Sequence, residues 1–273
     1  DYNSPETIES NPYYEFFRLC NETNWDLIVK SGLVNENDPK YDVSTTQGEA
    51  ALNKAVNKYM TFVDNNAVDY NVQFFDNFNY TVFVPTNEAV KEAVANGLPT
   101  WQSIEEDFTN SIDPSTGQLA TYEDSLRIQY KIIYLTNFIR THFADNTVFA
   151  DKSDMNAELV TNSFNSETGL FVKNSVQRND GVLKVKDGTS SGQWITIKNT
   201  ADDGRDVKNI MTCDRECNSK VKDQSMNNKT TDASSYAVVH LIDGVLNHDE
   251  LTNGKYPQFS SVGEARRYIQ RST

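Results

Sequence analysis

The stretch Tyr80-Thr-Val-Phe-Val-Pro-Thr-Asn-Glu-Ala-Val90 decides the fold, because it predicts a strand, a turn and the start of a helix. Tyr80 to Val84 is a short apolar run of β-forming residues, which is typical of a strand. Pro85 ends this strand, and Thr86 and Asn87 offer side chains to the free backbone donors of a following helix. That helix closes at Gly97, so we expect a buried strand to pass directly into a short helix.

A second stretch, Tyr236-Ala-Val-Val-His-Leu-Ile-Asp-Gly-Val-Leu246, predicts a pair of apolar strands around a tight turn at Asp243-Gly244. His240 lies inside the first of these strands, so we expect a half-buried histidine with a hydrogen-bond partner rather than a metal ligand or a catalytic group. A long helix is predicted over 122–141. His142 follows this helix, and we expect the same structural role for it.

The other patterns place helices early and strands late, which favours an α+β fold. Asn179-Asp180-Gly181 separates two alternating runs and predicts a tight hairpin. Further helices are predicted over 12–31, 47–63 and around 260–270; strands over 141–149, 169–177, 181–187 and 193–199; loops over 35–45, 110–120 and 199–232.

The two apolar stretches resemble the two signatures of fasciclin-type (FAS1) modules. In that family a strand leads through Pro, Thr and Asn into a helix, and a later strand with a central His leads through Ile-Asp-Gly. The family also carries an apolar segment ending in Tyr-His, which Leu135 to His142 resembles with Thr141 in place of the tyrosine. The resemblance implies a FAS1-like β-sandwich or wedge core flanked by several helices. It also implies that a set of motif residues is structural, namely Pro85, Thr86, Asn87, His142, His240, Asp243 and Gly244.

We expect one such domain over 12–251, after an N-terminal tail (1–11) and before a C-terminal extension (252–273) with a short helix. This span is longer than a typical module, so the excess is assigned to insertions near 35–75, 100–120 and 200–232. Loops usually set binding on a shared scaffold. We therefore hypothesise that residues 199–232, together with 35–75, form the recognition surface.

The resemblance implies an adhesion or binding module, extracellular or at the cell surface, that recognises a protein or another matrix partner. A secreted or surface-anchored bacterial protein is the expected type. The alternative is a glycan-binding accessory protein of a bacterial cell envelope, since 13 Tyr and 14 Phe supply rings for sugar stacking. We expect no enzyme, catalytic residue or cofactor, because no HExxH, P-loop or dinucleotide-binding motif occurs.

The net charge of -14 and the pI of about 4.6 disfavour nucleic acid and, by charge alone, anionic lipid or sulfated glycans. We expect no membrane insertion of this chain, because no apolar run of about 18 residues occurs. The polar N-terminus lacks a signal-peptide core, so we expect a leader or anchor to be absent from this chain.

Cysteine and histidine placement predicts no metal site. Cys20 is expected to be a buried free thiol. Cys213 and Cys217 suit either a local disulfide or two free thiols, and a zinc site would need two further ligands. His248 lies in the polar run Asn-His-Asp-Glu-Leu and is expected in a surface turn.

Overall fold

The computed structural model describes residues 11–64, 70–72, 79–165, 168–213 and 236–272. In this part of the chain the helices are α1 Tyr14–Asn21, α2 Trp25–Lys30, α3 Thr46–Asn57, α4 Asn87–Ala95, α5 Trp101–Asn110, α6 Tyr122–Thr141 and α7 Val262–Ser272. The strands are β1 Phe62–Asp64, β2 Tyr70–Val72, β3 Asn79–Pro85, β4 Ile112–Asp113, β5 Gln118–Leu119, β6 Phe143–Asp145, β7 Met155–Asn165, β8 Leu170–Asn179, β9 Val182–Lys186, β10 Ile195–Thr196, β11 Ile210–Cys213 and β12 Tyr236–Ile242.

Eight of these strands form one mixed sheet in the order β10-β9-β8-β7-β6-β3-β12-β11. The pair β3 and β12 is parallel, and the other neighbours are antiparallel. Just beyond β10, Ile197 forms an isolated bridge with Ile242 at the end of β12. The seven strands from β10 to β12 therefore make a nearly closed sheet, and the protein is a mixed α+β structure.

The two decisive apolar stretches lie side by side in this sheet. Val82 is opposite Val239 and Phe83 is opposite His240 in the parallel ladder. Such strands are buried on both faces, which is why their sequences are continuously apolar rather than alternating. One sheet holds both stretches, as the sequence predicted.

Two hydrophobic cores lie on opposite faces of β3 and β12. Inside the nearly closed sheet, Phe83 and Ile242 pack with Val176, Leu183 and Val185. On the other face, the helices cover the sheet in a larger cluster that includes Phe16, Val82, Trp101, Phe138 and Val239. The helices therefore cover one side of the sheet, around β3, β6 and β12.

Several local predictions are confirmed. The Thr86 hydroxyl caps α4 by accepting from the Ala89 amide, and Gly97 ends that helix with a φ of 101°. Helix α6 spans 122–141 as predicted. Asp180 and Gly181 both have positive φ, 50° and 75°, and Asn179 pairs with Val182. This is the geometry of a two-residue hairpin turn that matches strand twist.

Some boundaries differ from the predictions, each for a local reason. The single helix predicted over 12–31 is two helices, because the Asn24 side chain accepts from the Leu27 amide and starts α2 afresh. Helix α3 ends at Asn57 rather than 63, and β1 follows. The loop predicted over 110–120 contains the small hairpin β4–β5, whose turn is held by the Asp113 carboxylate and by Gly117 at a φ of 69°.

Several elements were not predicted, among them helix α5, strand β7 and strand β11, which lies inside the loop predicted over 199–232. Helix α5 begins at a capping box between Thr100 and Ser103 and buries Trp101, Ile104 and Phe108. Strand β7 was not predicted because the inward-facing residues of its second half are polar, which breaks the alternating pattern of a strand. Thr161 there is buried, and its hydroxyl donates to the Val172 carbonyl.

The second strand predicted around Asp243-Gly244 is absent from the structure, because β12 ends at Ile242 and no strand follows up to residue 246. The Leu246 amide instead donates to a side chain, His142 Nε2, at 3.0 Å. Gly244 allows a close approach: a Cβ there would lie 2.8 Å from Ile195 Cδ1, so the Ile195 side chain would have to move. The segment is thus fixed by side-chain contacts rather than by a strand ladder.

Parts of the predicted insertions belong to the cores. The insertion near 100–120 supplies α5. In the segment 199–213, Val207 is buried and its carbonyl accepts from the Leu241 amide of β12. Residues 214–235, which include Cys217, lie outside the described residues, as does the Cys213 side chain. Cys20 is a buried free thiol, as predicted, and burial raises its pKa.

Candidate functional site

Motif residues of the first apolar stretch are hydrogen-bonded to residues of the second. The Thr86 hydroxyl donates to Asp243 Oδ1 at 3.2 Å, and the Thr86 amide donates to the Ile242 carbonyl. Pro85 is opposite Ile242 at the end of the parallel ladder. Asn87 receives the Glu15 amide on its side-chain oxygen, which connects α1 to this point. These contacts hold the strand ends together.

His142 and His240 are both fully buried and bonded to the backbone. His142 Nδ1 donates to the Phe138 carbonyl (2.9 Å), and its Nε2 accepts from the Leu246 amide. His240 Nε2 donates to the Val148 carbonyl (2.8 Å), and its Nδ1 accepts from the Asn209 amide. Each ring is therefore neutral, with its tautomer fixed by its partners. Burial lowers the pKa of each to about 4.

His248 is buried, so the prediction that it lies in a surface turn is wrong. Its ring packs against Tyr134 of α6 with centroids 4.4 Å apart, and its Nε2 lies 3.2 Å from the Tyr268 hydroxyl of α7. Burial, with a smaller effect of nearby His142, lowers its pKa to about 3. The polar neighbours of His248 in sequence gave no sign of this, since its burial comes from distant helices.

An open cleft lies between α6, α7 and the segment 249–260, with a volume of about 660 Å³. We call it the aromatic cleft, because Tyr130, Tyr256, Phe259 and Tyr268 line it. Tyr130 contacts Tyr268 (centroids 4.9 Å apart) and Phe259 (6.5 Å). Its volume lies in the range of about 300–1,000 Å³ usual for ligand sites.

The charged groups of the aromatic cleft are balanced. Two carboxylates, Asp249 and Glu264, and two cations, Lys255 and Arg267, line it. Lys255 donates to the Asn96 side chain, and Arg267 donates to a carbonyl of its own helix. A ligand here would be selected by shape, ring contacts and neutral hydrogen bonds rather than by net charge.

A smaller pocket of about 280 Å³ adjoins the cleft and shares Tyr130, Pro257 and Phe259 with it. Tyr134 lines this pocket and is 1% exposed. Among the described residues, its hydroxyl has no hydrogen-bond partner. Burial raises its pKa, so the hydroxyl keeps its proton and can donate. An unpaired buried hydroxyl costs stability unless something binds to it.

A second cavity of about 580 Å³ lies beside α3 and α6, and two of its charged side chains already have partners. Lys40 pairs with Asp38 at 3.0 Å. The Arg140 guanidinium donates to the Lys58 carbonyl. We take the aromatic cleft as the candidate ligand site, because its rings adjoin a buried Tyr134 hydroxyl that has no partner among the described residues.

The hypothesised recognition surface, 199–232 with 35–75, falls partly on residues outside the described ranges. The described portion of 199–213 is tied to the fold, since Asn209 bonds both His240 and the Ala150 amide. Sequence reasoning overlooked the aromatic cleft instead. The signal in the sequence is aromatic spacing: Tyr130 and Tyr134 are four apart on α6, and Tyr256 and Phe259 are close together in the loop before α7.

Within the described ranges, no group of three or more His, Cys, Asp or Glu side chains is placed to hold a metal ion. No helix there has the length and apolarity needed to cross a membrane. Comparisons with protein-family models, curated proteins and solved structures found no match for this chain. A functional assignment must therefore be argued from the fold and the cleft.

Proposed function

We propose that this chain is a fasciclin-type module, with the wedge core of that family, that works outside the cell as an adhesion or binding domain. The observation that carries the proposal is the parallel pairing of β3 and β12, the two stretches that resemble the family signatures. The hydrogen bond between Thr86 and Asp243 joins the two stretches, and this gives both motif residues a structural role.

A binding role agrees with the chemistry of the described residues. Their three histidines are neutral at physiological pH, and His142 and His240 are committed to backbone partners on both ring nitrogens. We propose that the partner, a protein or another matrix component, enters the aromatic cleft. The half-buried rings of Tyr130 and Phe259 would supply apolar contact, and the Tyr134 hydroxyl in the adjoining pocket would supply a hydrogen bond.

The second candidate is a glycan-binding accessory protein of a bacterial envelope. The same cleft favours it, since Gln258, Ser260 and Thr252 stand beside the aromatic rings and offer neutral hydrogen-bonding groups. A sugar ring has an apolar face and hydroxyl edges, which this mixture matches. Under either candidate the protein belongs in the extracellular space or the cell envelope.

Replacing Phe259 by Ala should weaken binding about tenfold or more, because a ring at the centre of an interface is a typical hot spot. The measurement is retention of the labelled domain on immobilised matrix proteins, polysaccharides and fixed cells. Tyr122→Ala is the matched control, since Tyr122 is an exposed aromatic residue outside the cleft. Unchanged retention of the Phe259 variant would contradict the proposed site.

Treating the target surface separates the two candidates. Protease digestion should abolish retention if the partner is a protein, whereas periodate, which cleaves vicinal diols, should abolish it if the partner is a glycan. A wild-type domain that none of these surfaces retains would overturn the proposed binding role itself.

A further inference from the structure

The outer face of β7–β10 differs from the rest of this acidic chain. Along these strands, inward residues such as Leu159, Val176 and Leu183 are buried, and the alternate residues are exposed or half-exposed. The outward residues form two cross-strand rows, which we call the outer rows: Asn156, Gln177, Lys184 and Thr196; and Glu158, Ser175, Lys186 and Trp194.

Two lysines of the outer rows, Lys184 and Lys186, have no carboxylate partner among the described residues. Carboxylates outnumber cations in the whole chain by 39 to 25. Even so, no carboxylate of the described residues lies within ion-pair distance of Lys184 or Lys186, and the outward positions of β8, β9 and β10 are free of Asp and Glu. Glu158, on β7, pairs with Lys173. At physiological salt, charges more than about 8 Å apart are largely screened from each other. A ligand on this face therefore interacts mainly with the nearby lysines and little with the distant carboxylates.

The same face has a ring and neutral hydrogen-bonding groups. Trp194 is 41% exposed, and Lys186 Nζ lies 5.6 Å from its ring centroid. The side chains of Asn156, Gln177 and Thr196 make no hydrogen bond within the described ranges. This combination suits an acidic sugar chain. The ring can contact the apolar face of a sugar, the amides and the hydroxyl can bond its hydroxyls, and the ammonium groups can pair with its carboxylates.

An acidic peptide fits this face less well. Peptides that bind sheets usually add a strand to a free edge, where backbone groups supply the affinity. Here β8 and β9 are each paired on both sides, so the face offers side chains only. We propose that the outer rows bind a carboxylate-bearing polysaccharide, at a site separate from the aromatic cleft.

The test measures binding of the full chain to polygalacturonate, poly-glutamate and neutral dextran at low and high ionic strength. Wild type should bind polygalacturonate at low ionic strength and lose it at high ionic strength, and should not bind dextran. The double variant Lys184→Gln/Lys186→Gln should bind about tenfold more weakly, as expected for two lost charge-assisted contacts. Trp194→Ala should also weaken polygalacturonate binding.

The charge-matched control is Lys30→Gln/Lys91→Gln, which removes two exposed lysines elsewhere and should leave binding unchanged. Phe259→Ala should have no effect either, so failure of this proposal is distinct from failure of the cleft. The proposal is overturned if wild type ignores polygalacturonate, or if the control pair loses as much binding as Lys184→Gln/Lys186→Gln. Equal binding of poly-glutamate, with no effect of Trp194→Ala, would assign the face to acidic polypeptides instead.

Discussion

Lowering the pH from about 6.5 to about 5 should reduce the free energy of unfolding by roughly 4 to 6 kcal/mol, because three buried histidines resist protonation. Burial lowers the pKa of His142 and His240 to about 4 and that of His248 to about 3, from a usual 6.5. Between these values the unfolded chain binds protons that the folded chain does not. Stability is therefore full above about pH 6.5 and falls as the pH drops towards the folded-state values.

Chemical denaturation at a series of pH values measures this loss. The slope should approach about 4 kcal/mol per pH unit where all three histidines contribute, and it should level off near the folded-state pKa values. Paired carboxylates titrate lower: the Arg127 and Lys131 hydrogen bonds hold the pKa of Asp107 below its usual value. A free energy of unfolding that stays flat down to about pH 5 would show that the histidines are accessible to protons.

Replacing Trp101 by Ala should cost about 3 to 5 kcal/mol, the range for removing a large aromatic side chain from a core. Trp101 is 3% exposed, and its Nε1 donates to the Leu19 carbonyl at 2.9 Å. The substitution removes the ring and leaves that buried carbonyl without its donor. The measurement is the free energy of unfolding by urea denaturation.

Trp194→Ala is the matched control, since Trp194 is 41% exposed and should change stability by about 0.5 kcal/mol or less. The comparison decides whether the segment near 100–120 is an addition to the scaffold or part of it. If Trp101→Ala lowers the free energy of unfolding no more than Trp194→Ala does, the segment near 100–120 is a peripheral insertion.

Local signals predicted much of the fold. The Pro85-Thr86 junction, the Asn179-Asp180-Gly181 turn and helix α6 each depend on residues close in sequence, and the structure has them where predicted. The ordered pair of apolar stretches also predicted a shared sheet. The parallel register itself joins residues about 157 positions apart, as Thr86 and Asp243 show, and no local pattern encodes that.

The candidate site was less predictable, because it is assembled from distant parts. Tyr134 is on α6, His248 follows β12, and Tyr268 is on α7. Each appears in sequence as an ordinary core or surface residue, and only the folded chain brings the three together beside the aromatic cleft. Strand β7 was missed for a related reason: the bond between Thr161 and Val172 permits a polar residue where the alternating pattern requires an apolar one.

We propose that this chain is a binding module whose partner enters the aromatic cleft and its adjoining pocket. The Tyr134→Phe variant tests it most directly, measured both for unfolding free energy and for retention on the surface that holds wild type. The substitution removes only a hydroxyl that has no partner among the described residues. Tyr13→Phe is the control, since it removes another such hydroxyl away from the cleft.

Removing an unsatisfied buried hydroxyl should leave stability unchanged or raise it by about 1 kcal/mol. If the partner accepts the hydrogen bond of Tyr134, retention should nevertheless fall by about five- to tenfold, while Tyr13→Phe binds as wild type. Unchanged retention of Tyr134→Phe, or an equal loss in both variants, would contradict the account.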